Sequence, residues 1–121
     1  MFSLTDSDTY YLYPHPTDMR KGFDTLSGIV TNEMGHDVRS GSAFIFLNRS
    51  LTGMKILHAE YGGLVIYHMR LERGFIRLPD ISGLPEGADS VPTDWARLML
   101  MVQGMEPERM RRQIRWAPAK R

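Results

Sequence analysis

Between Gly41 and Pro79 the chain spaces short apolar runs so closely that few sheet topologies remain open to it. Ala43 to Leu47 reads as a buried-type strand and Met54 to Tyr61 as a second. Leu64 to Arg70 follows as a third and Phe75 to Leu78 as a fourth. Parallel neighbours need a crossover of a dozen or more residues, and none of these connections is that long. An antiparallel meander is the expectation. Gly62-Gly63 is a two-residue turn signal. With those glycines as the turn pair, Lys55 faces Arg70, Leu57 faces His68 and Ala59 faces Ile66. The other side carries Met54, Ile56, His58 and Glu60 opposite Leu71, Met69, Tyr67 and Val65. Being the more apolar side, it is expected to pack on the helices.

Outside this stretch the period changes. Thr9 to Tyr13 is rich in aromatics and reads as a short strand ended by Pro14-His15-Pro16. Thr17 offers an N-cap, and Met19, Phe23, Leu26 and Val30 then form one apolar helix face reaching about Met34, with Gly35 as the stop. Asp80 to Pro92 reads as a loop. Thr93 is expected to cap a second helix whose stripe is Trp95, Leu98, Met99 and Val102. The fold class expected is α+β: a single domain with an antiparallel meander of four to five strands packed on two helices. Residues 1–104 make this domain, and residues 105–121 a basic C-terminal arm, helical or disordered.

The chain has 121 residues, 42% hydrophobic and 24% charged, an ordinary globular balance. Cysteine is absent, which excludes disulfides, zinc–thiolate sites and thiol catalysis. No apolar run approaches the ~20 residues that span a bilayer. The first residues show no basic segment followed by an apolar one, so no signal peptide and a cytoplasmic location are expected. The net charge of +1 conceals an asymmetry. Residues 1–105 carry nine Lys/Arg against twelve Asp/Glu, whereas residues 106–121 carry six against two. A basic arm on a mildly acidic body points to an anionic partner, although a solvated tail has the same composition.

Candidate contacts follow from these charges. Lys55 opposite Arg70 is a like-charge pair, unfavourable unless an anion lies between them or Glu72, Glu60 or Asp18 neutralises it. Arg20 and Lys21, placed in the first turn of a helix, oppose the macrodipole and suit an anion, unless Asp18 pairs with them locally. Arg73 lies in the Leu71-Glu72-Arg73-Gly74 turn. Arg109, Arg111, Arg112 and Arg115 cover one arc of an ideal helix next to Trp116, a combination suited to phosphate contact and stacking. Catalytic residues, a metal site and cofactors are not expected. The four histidines lack metal-ligand spacing, and no nucleophile elbow or phosphate-binding glycine loop occurs. A carboxylate cluster of Asp18, Glu60 and Glu72 is the minor, nuclease-like alternative.

Three segments together resemble a known family: Thr17-Asp18-Met19-Arg20-Lys21-Gly22-Phe23-Asp24-Thr25-Leu26, Lys55-Ile56-Leu57 leading to Gly63-Leu64, and Arg70-Leu71-Glu72-Arg73-Gly74-Phe75-Ile76. The chain is similar over about residues 9–104 to the small accessory protein of the insertion-sequence sixty-six family of bacterial transposable elements. That resemblance implies a non-enzymatic partner of a separately encoded transposase, needed with it for transposition. The motif positions carried over are Asp18, Arg20, Lys21, Gly22, Lys55, Arg70, Glu72, Arg73 and Gly74. The chain departs from the family at His58-Ala59-Glu60, where members often carry two tryptophans and an aspartate, and at Met69, where lysine is common.

Two functions are expected to compete. In the leading one, Arg20, Lys21, Lys55, Arg70, Arg73 and the four arm arginines contact DNA phosphates without reading sequence. In the alternative, the same cations bind acidic side chains of the transposase or of a second copy, giving an adaptor or a homo-oligomer. No membrane partner is expected.

Overall fold

In a computed structural model, residues 3–85, 87–103 and 116 are described. The elements in chain order are β1 (Tyr10–Leu12), α1 (Phe23–Ile29), β2 (Ala43–Leu47), β3 (Gly53–Glu60), β4 (Gly63–Arg70), β5 (Val91–Thr93) and α2 (Trp95–Val102). A π-helical turn, Val30–Met34, extends α1, and a 3₁₀ turn, Val38–Ser40, precedes β2. The strands form one sheet in the order β4-β3-β2-β1-β5. The meander β2-β3-β4 is antiparallel as expected. β1 joins it parallel to β2, because the connection carrying α1 is long enough for a crossover. β5 closes the far edge antiparallel to β1.

The two helices lie on opposite faces of the sheet, not on one. β2 is apolar at every position and buried at every position, so it offers a core to both sides. Phe44 and Phe46 meet Leu26, Ile29, Val30 and Met34 on the α1 side. Ala43, Ile45 and Leu47 join Met54 and Ile56 against Leu98 and Met101 on the α2 side. Phe75 to Leu78 is not a fourth strand. Ile76 and Leu78 instead bury against the α2-side core, with the Ile76 N–H donating to Leu51 O and the Arg77 N–H to Met101 O. The expected loop at Asp80 to Pro92 ends in β5, and the α2 cap is Asp94 rather than Thr93. The Asp94 carboxylate accepts from the Arg97 N–H at 2.8 Å.

α1 starts later than its apolar stripe predicts. Thr17 N–H donates to Leu47 O at 2.7 Å, and Asp18 accepts from the Arg20 N–H at 2.8 Å in a local side-chain turn. These bonds hold residues 17–22 as a loop, and Gly22 becomes the N-cap position. Arg20 and Lys21 therefore precede the helix.

The hairpin register also differs from expectation. Its turn residues are Tyr61 and Gly62, at φ of 51° and 78°, the two positive values of a type I′ turn. Gly53 faces Arg70 and Lys55 faces His68, so the expected Lys55–Arg70 pairing is replaced. The shift is two residues, so every side chain keeps its face, and hydrophobic alternation cannot distinguish the two registers. Charge distinguishes them: the observed one removes a like-charge pair. Tyr61 bears the cost, since a left-handed conformation is unfavourable by about 1–2 kcal/mol for a residue with a Cβ. Tyr61 is 81% exposed, so its ring gives back little. Tyr61→Asn is expected to stabilise the domain by about 0.5–1 kcal/mol, read as a higher urea midpoint at unchanged slope. An unchanged or lower midpoint would contradict this account of the turn.

Candidate nucleic-acid interface

Lys55 lies on the α1 side of β3 and is only 9% exposed. Its ammonium donates to the Lys21 carbonyl oxygen at 2.7 Å. It therefore acts as a strut between the sheet and the loop that carries Arg20 and Lys21. The same loop is seated from the other direction by Met19. A Cβ on Gly53 would come within 3.1 Å of the Met19 side chain, so glycine permits this close approach.

The turn after β2 and the segment after β4 are tied together. Leu71 N–H donates to Thr52 O at 2.8 Å and Ile76 N–H to Leu51 O at 2.6 Å. Asn48 fixes that turn through its side-chain oxygen, which accepts from the N–H groups of Thr52 and Gly53. One corner of the sheet thus collects Arg20 and Lys21 from the loop before α1, Arg49 from the turn, and Arg70 and Arg73 from the end of β4 and beyond. Against these five cations stand Asp18 and Glu72, with Asp24 in the first turn of α1. Arg20, Arg49, Arg70 and Arg73 are exposed. A polar hollow of about 490 Å³ is bounded by Arg70, Leu71 and Glu72.

The other end of the same β3–β4 pair, around its turn, has the opposite sign. Asp6, Asp8, Asp37 and Glu60 gather there with Arg39. Glu60 is buried and accepts from the Tyr67 hydroxyl at 2.6 Å, His58 Nδ1 at 2.7 Å and Ser3 N–H at 3.2 Å. His58 Nε2 lies 3.0 Å from Gly41 O and 3.7 Å from an Asp8 carboxylate oxygen. Burial alone would raise the Glu60 pKa, but the bonds from Tyr67, His58 and Ser3 outweigh it and hold the carboxyl below its usual range.

Of the expected site residues, the structure brings Arg20, Lys21, Arg70 and Arg73 to one corner and places Lys55 beneath it. Arg49 was missed; its signal was a cation in the short Asn48-Arg49-Ser50 link between two strands. The local pairing weighed for Asp18 is present: Arg20 Nε and Nη2 donate to its carboxylate at 3.1 and 2.7 Å. The Arg20 side chain, then its backbone N–H, lowers the Asp18 pKa to about 2. The nuclease-like cluster does not assemble. Glu60 and Glu72 are separated by the length of β4, roughly 25 Å at strand spacing. Among the described residues no group of three or more His, Asp or Glu is arranged for a metal ion. Arg109, Arg111, Arg112 and Arg115 lie outside the described residues, as does the expected form of their arm. Trp116 is described, half-buried against the α2-side core.

These features define a small α+β domain with a basic corner and an acidic one. The chain belongs to the IS66 Orf2-like protein family, whose model matches residues 8–112. The match extends past Gly104 and takes in Arg109, Arg111 and Arg112. Membership implies a transposition-related accessory role, and the family is not a known enzyme class. No curated protein and no solved structure matches the chain. Among the described residues, no helix is long and apolar enough to cross a membrane.

Proposed function

We propose that this protein assists its element's transposase by gripping DNA phosphates, without enzymatic activity of its own and without reading sequence. The observation that carries this reading is the segregation of charge. Cations from three separate segments share one corner of a body whose remaining charge is acidic, and exposed arginines suit phosphate oxygens. The acidic corner would be repelled by the duplex, so the two corners together orient the domain on DNA. Lys55 positions the loop of Arg20 and Lys21 and makes no phosphate contact itself. The arginines of the arm add to the same electrostatic grip, in the bacterial cytoplasm where the element's DNA lies.

Binding to duplex DNA should then weaken with salt at a log–log slope of about −0.9 per phosphate neutralised. The triple variant Arg49→Ala, Arg70→Ala, Arg73→Ala should flatten that slope by about 2–3 units, and removal of residues 106–121 by several more. Lys55→Met removes a charge that makes no phosphate contact itself and acts only through the loop of Arg20 and Lys21, so in folded protein it should flatten the slope by less than the triple variant does. If the slope ignores both the corner and the arm, or no DNA is bound at low salt, the adaptor reading replaces this one. The triple variant should then lose capture of the transposase in a pull-down instead.

A further inference from the structure

The two edges of the sheet are built differently. β5 has three residues, one of them Pro92, a short edge with a residue that cannot donate to a further strand. β4 has eight residues in unbroken register with β3 and contains neither proline nor lysine. Its other neighbour in the sheet is missing, and no other element among the described residues packs along it. Leu64, Val65, Ile66, Tyr67 and Met69 pack against the cores but stay partly exposed. A long, unbroken, largely apolar edge of this kind is a template for another strand.

We propose that β4 pairs antiparallel with β4 of a second copy, joining two five-stranded sheets into one across a two-fold axis. The turn geometry says which groups are free. A two-residue type I′ turn closes on a hydrogen-bonded pair, here Glu60 and Gly63, so Gly63, Val65, Tyr67 and Met69 direct their backbone groups to β3. Leu64, Ile66, His68 and Arg70 direct theirs outward. A two-fold axis perpendicular to the sheet keeps each side chain on its own face, so only pairs of like parity are allowed. Centring on Ile66 and centring on Tyr67 satisfy parity with equal overlap, but centring on Tyr67 would set Arg70 against Leu64; centred on Ile66, Ile66 meets Ile66 of the second copy and Leu64 meets its His68. Arg70 is the strand's one Lys/Arg/Asp/Glu side chain. Self-pairing sends the two Arg70 residues to opposite ends, beside glycine turns, and no like charges face each other. The partly exposed rows on both faces gain a partner in the same step. This pairing does not depend on nucleic acid.

The chain contains no cysteine, so a single introduced thiol reports the register. In the Ile66→Cys variant the two thiols sit on a hydrogen-bonded pair with Cα atoms about 5.5 Å apart, within disulfide range. Oxidation without DNA should give a covalent dimer from Ile66→Cys and little from Val65→Cys, which the register sets against residue 67. Light scattering over a concentration series should show the wild-type mass rising from 13.9 kDa toward twice that value. His68→Pro removes an outward N–H from an exposed position and leaves the bonds to β3 intact. That variant should keep its circular dichroism and melting transition while remaining monomeric, and in the Ile66→Cys background it should abolish the cross-link. A wild-type chain that stays monomeric throughout, a dimer that survives His68→Pro, or Val65→Cys cross-linking as readily as Ile66→Cys would overturn the proposal.

Discussion

Replacing Glu60 with alanine is expected to destabilise the domain by about 2–4 kcal/mol, a large share of the ~5–15 kcal/mol available to a domain. The carboxylate accepts from three groups at once, the Tyr67 hydroxyl, His58 Nδ1 and the Ser3 N–H. Truncation would leave His58 Nδ1 buried without its acceptor and would take the acceptor from the partly buried Tyr67 hydroxyl and Ser3 N–H. The loss should appear as a lower urea midpoint with little change in slope. Glu60→Gln keeps one acceptor oxygen but turns an amide N–H toward donors, so its loss should be intermediate. Because the folded state holds this carboxyl below the usual value of 4.5, its contribution is complete above that pH and is lost as pH falls through the folded value. The gap between wild type and Glu60→Gln should therefore narrow on acidification. A Glu60→Ala loss below about 1 kcal/mol would mean that the three bonds contribute no more than one surface bond does.

Alkaline titration should unfold the protein through its tyrosines. Burial raises the Tyr10 pKa to about 12, assisted by the charges of Asp8 and Asp6. Burial raises Tyr67 to about 12 as well, followed by its hydrogen bond to Glu60. Tyr13 is raised by burial and then by its hydrogen bond to Glu33. In each case the fold favours the protonated phenol. The stability these residues contribute is present below pH ~10, where an unfolded tyrosine is also protonated, and is lost as pH rises toward the folded values. Within that window each costs about 1.4 kcal/mol per pH unit, so Tyr10 and Tyr13 alone remove roughly 3 kcal/mol per unit. Urea midpoints should fall steeply from pH 10 upward, and Tyr13→Phe should flatten the fall. Midpoints that stay level to pH 11 would show that these hydroxyls ionise without unfolding the chain.

The charge corner explains why the candidate site was only partly legible beforehand. Arg20, Lys21, Arg70 and Arg73 stand out in short charged runs, and all four reach one corner. Arg49 sits alone in sequence and gains its neighbours through the Leu71–Thr52 and Ile76–Leu51 backbone bonds. Lys55 looked equivalent to Arg70 on a strand face. Its ammonium is instead taken up by a carbonyl 34 residues away in sequence, a contact that no local pattern encodes. The acidic network was half visible, since alternation places His58, Glu60 and Tyr67 on one side. The third donor, Ser3, arrives only when the N-terminal segment folds across the hairpin.

By itself the sequence determined the antiparallel meander, the α+β class and the family. Connection lengths restrict strand direction, period-two alternation assigns side chains to faces, and the motif runs are local strings. Only the tertiary structure decided how the faces are used. β2 is apolar on both sides, so its pattern is equally consistent with one covered face or two, and the covering depends on where the chain returns. It also decided the hairpin register, because a shift of two residues leaves every face unchanged and turns on which charges meet across the strands.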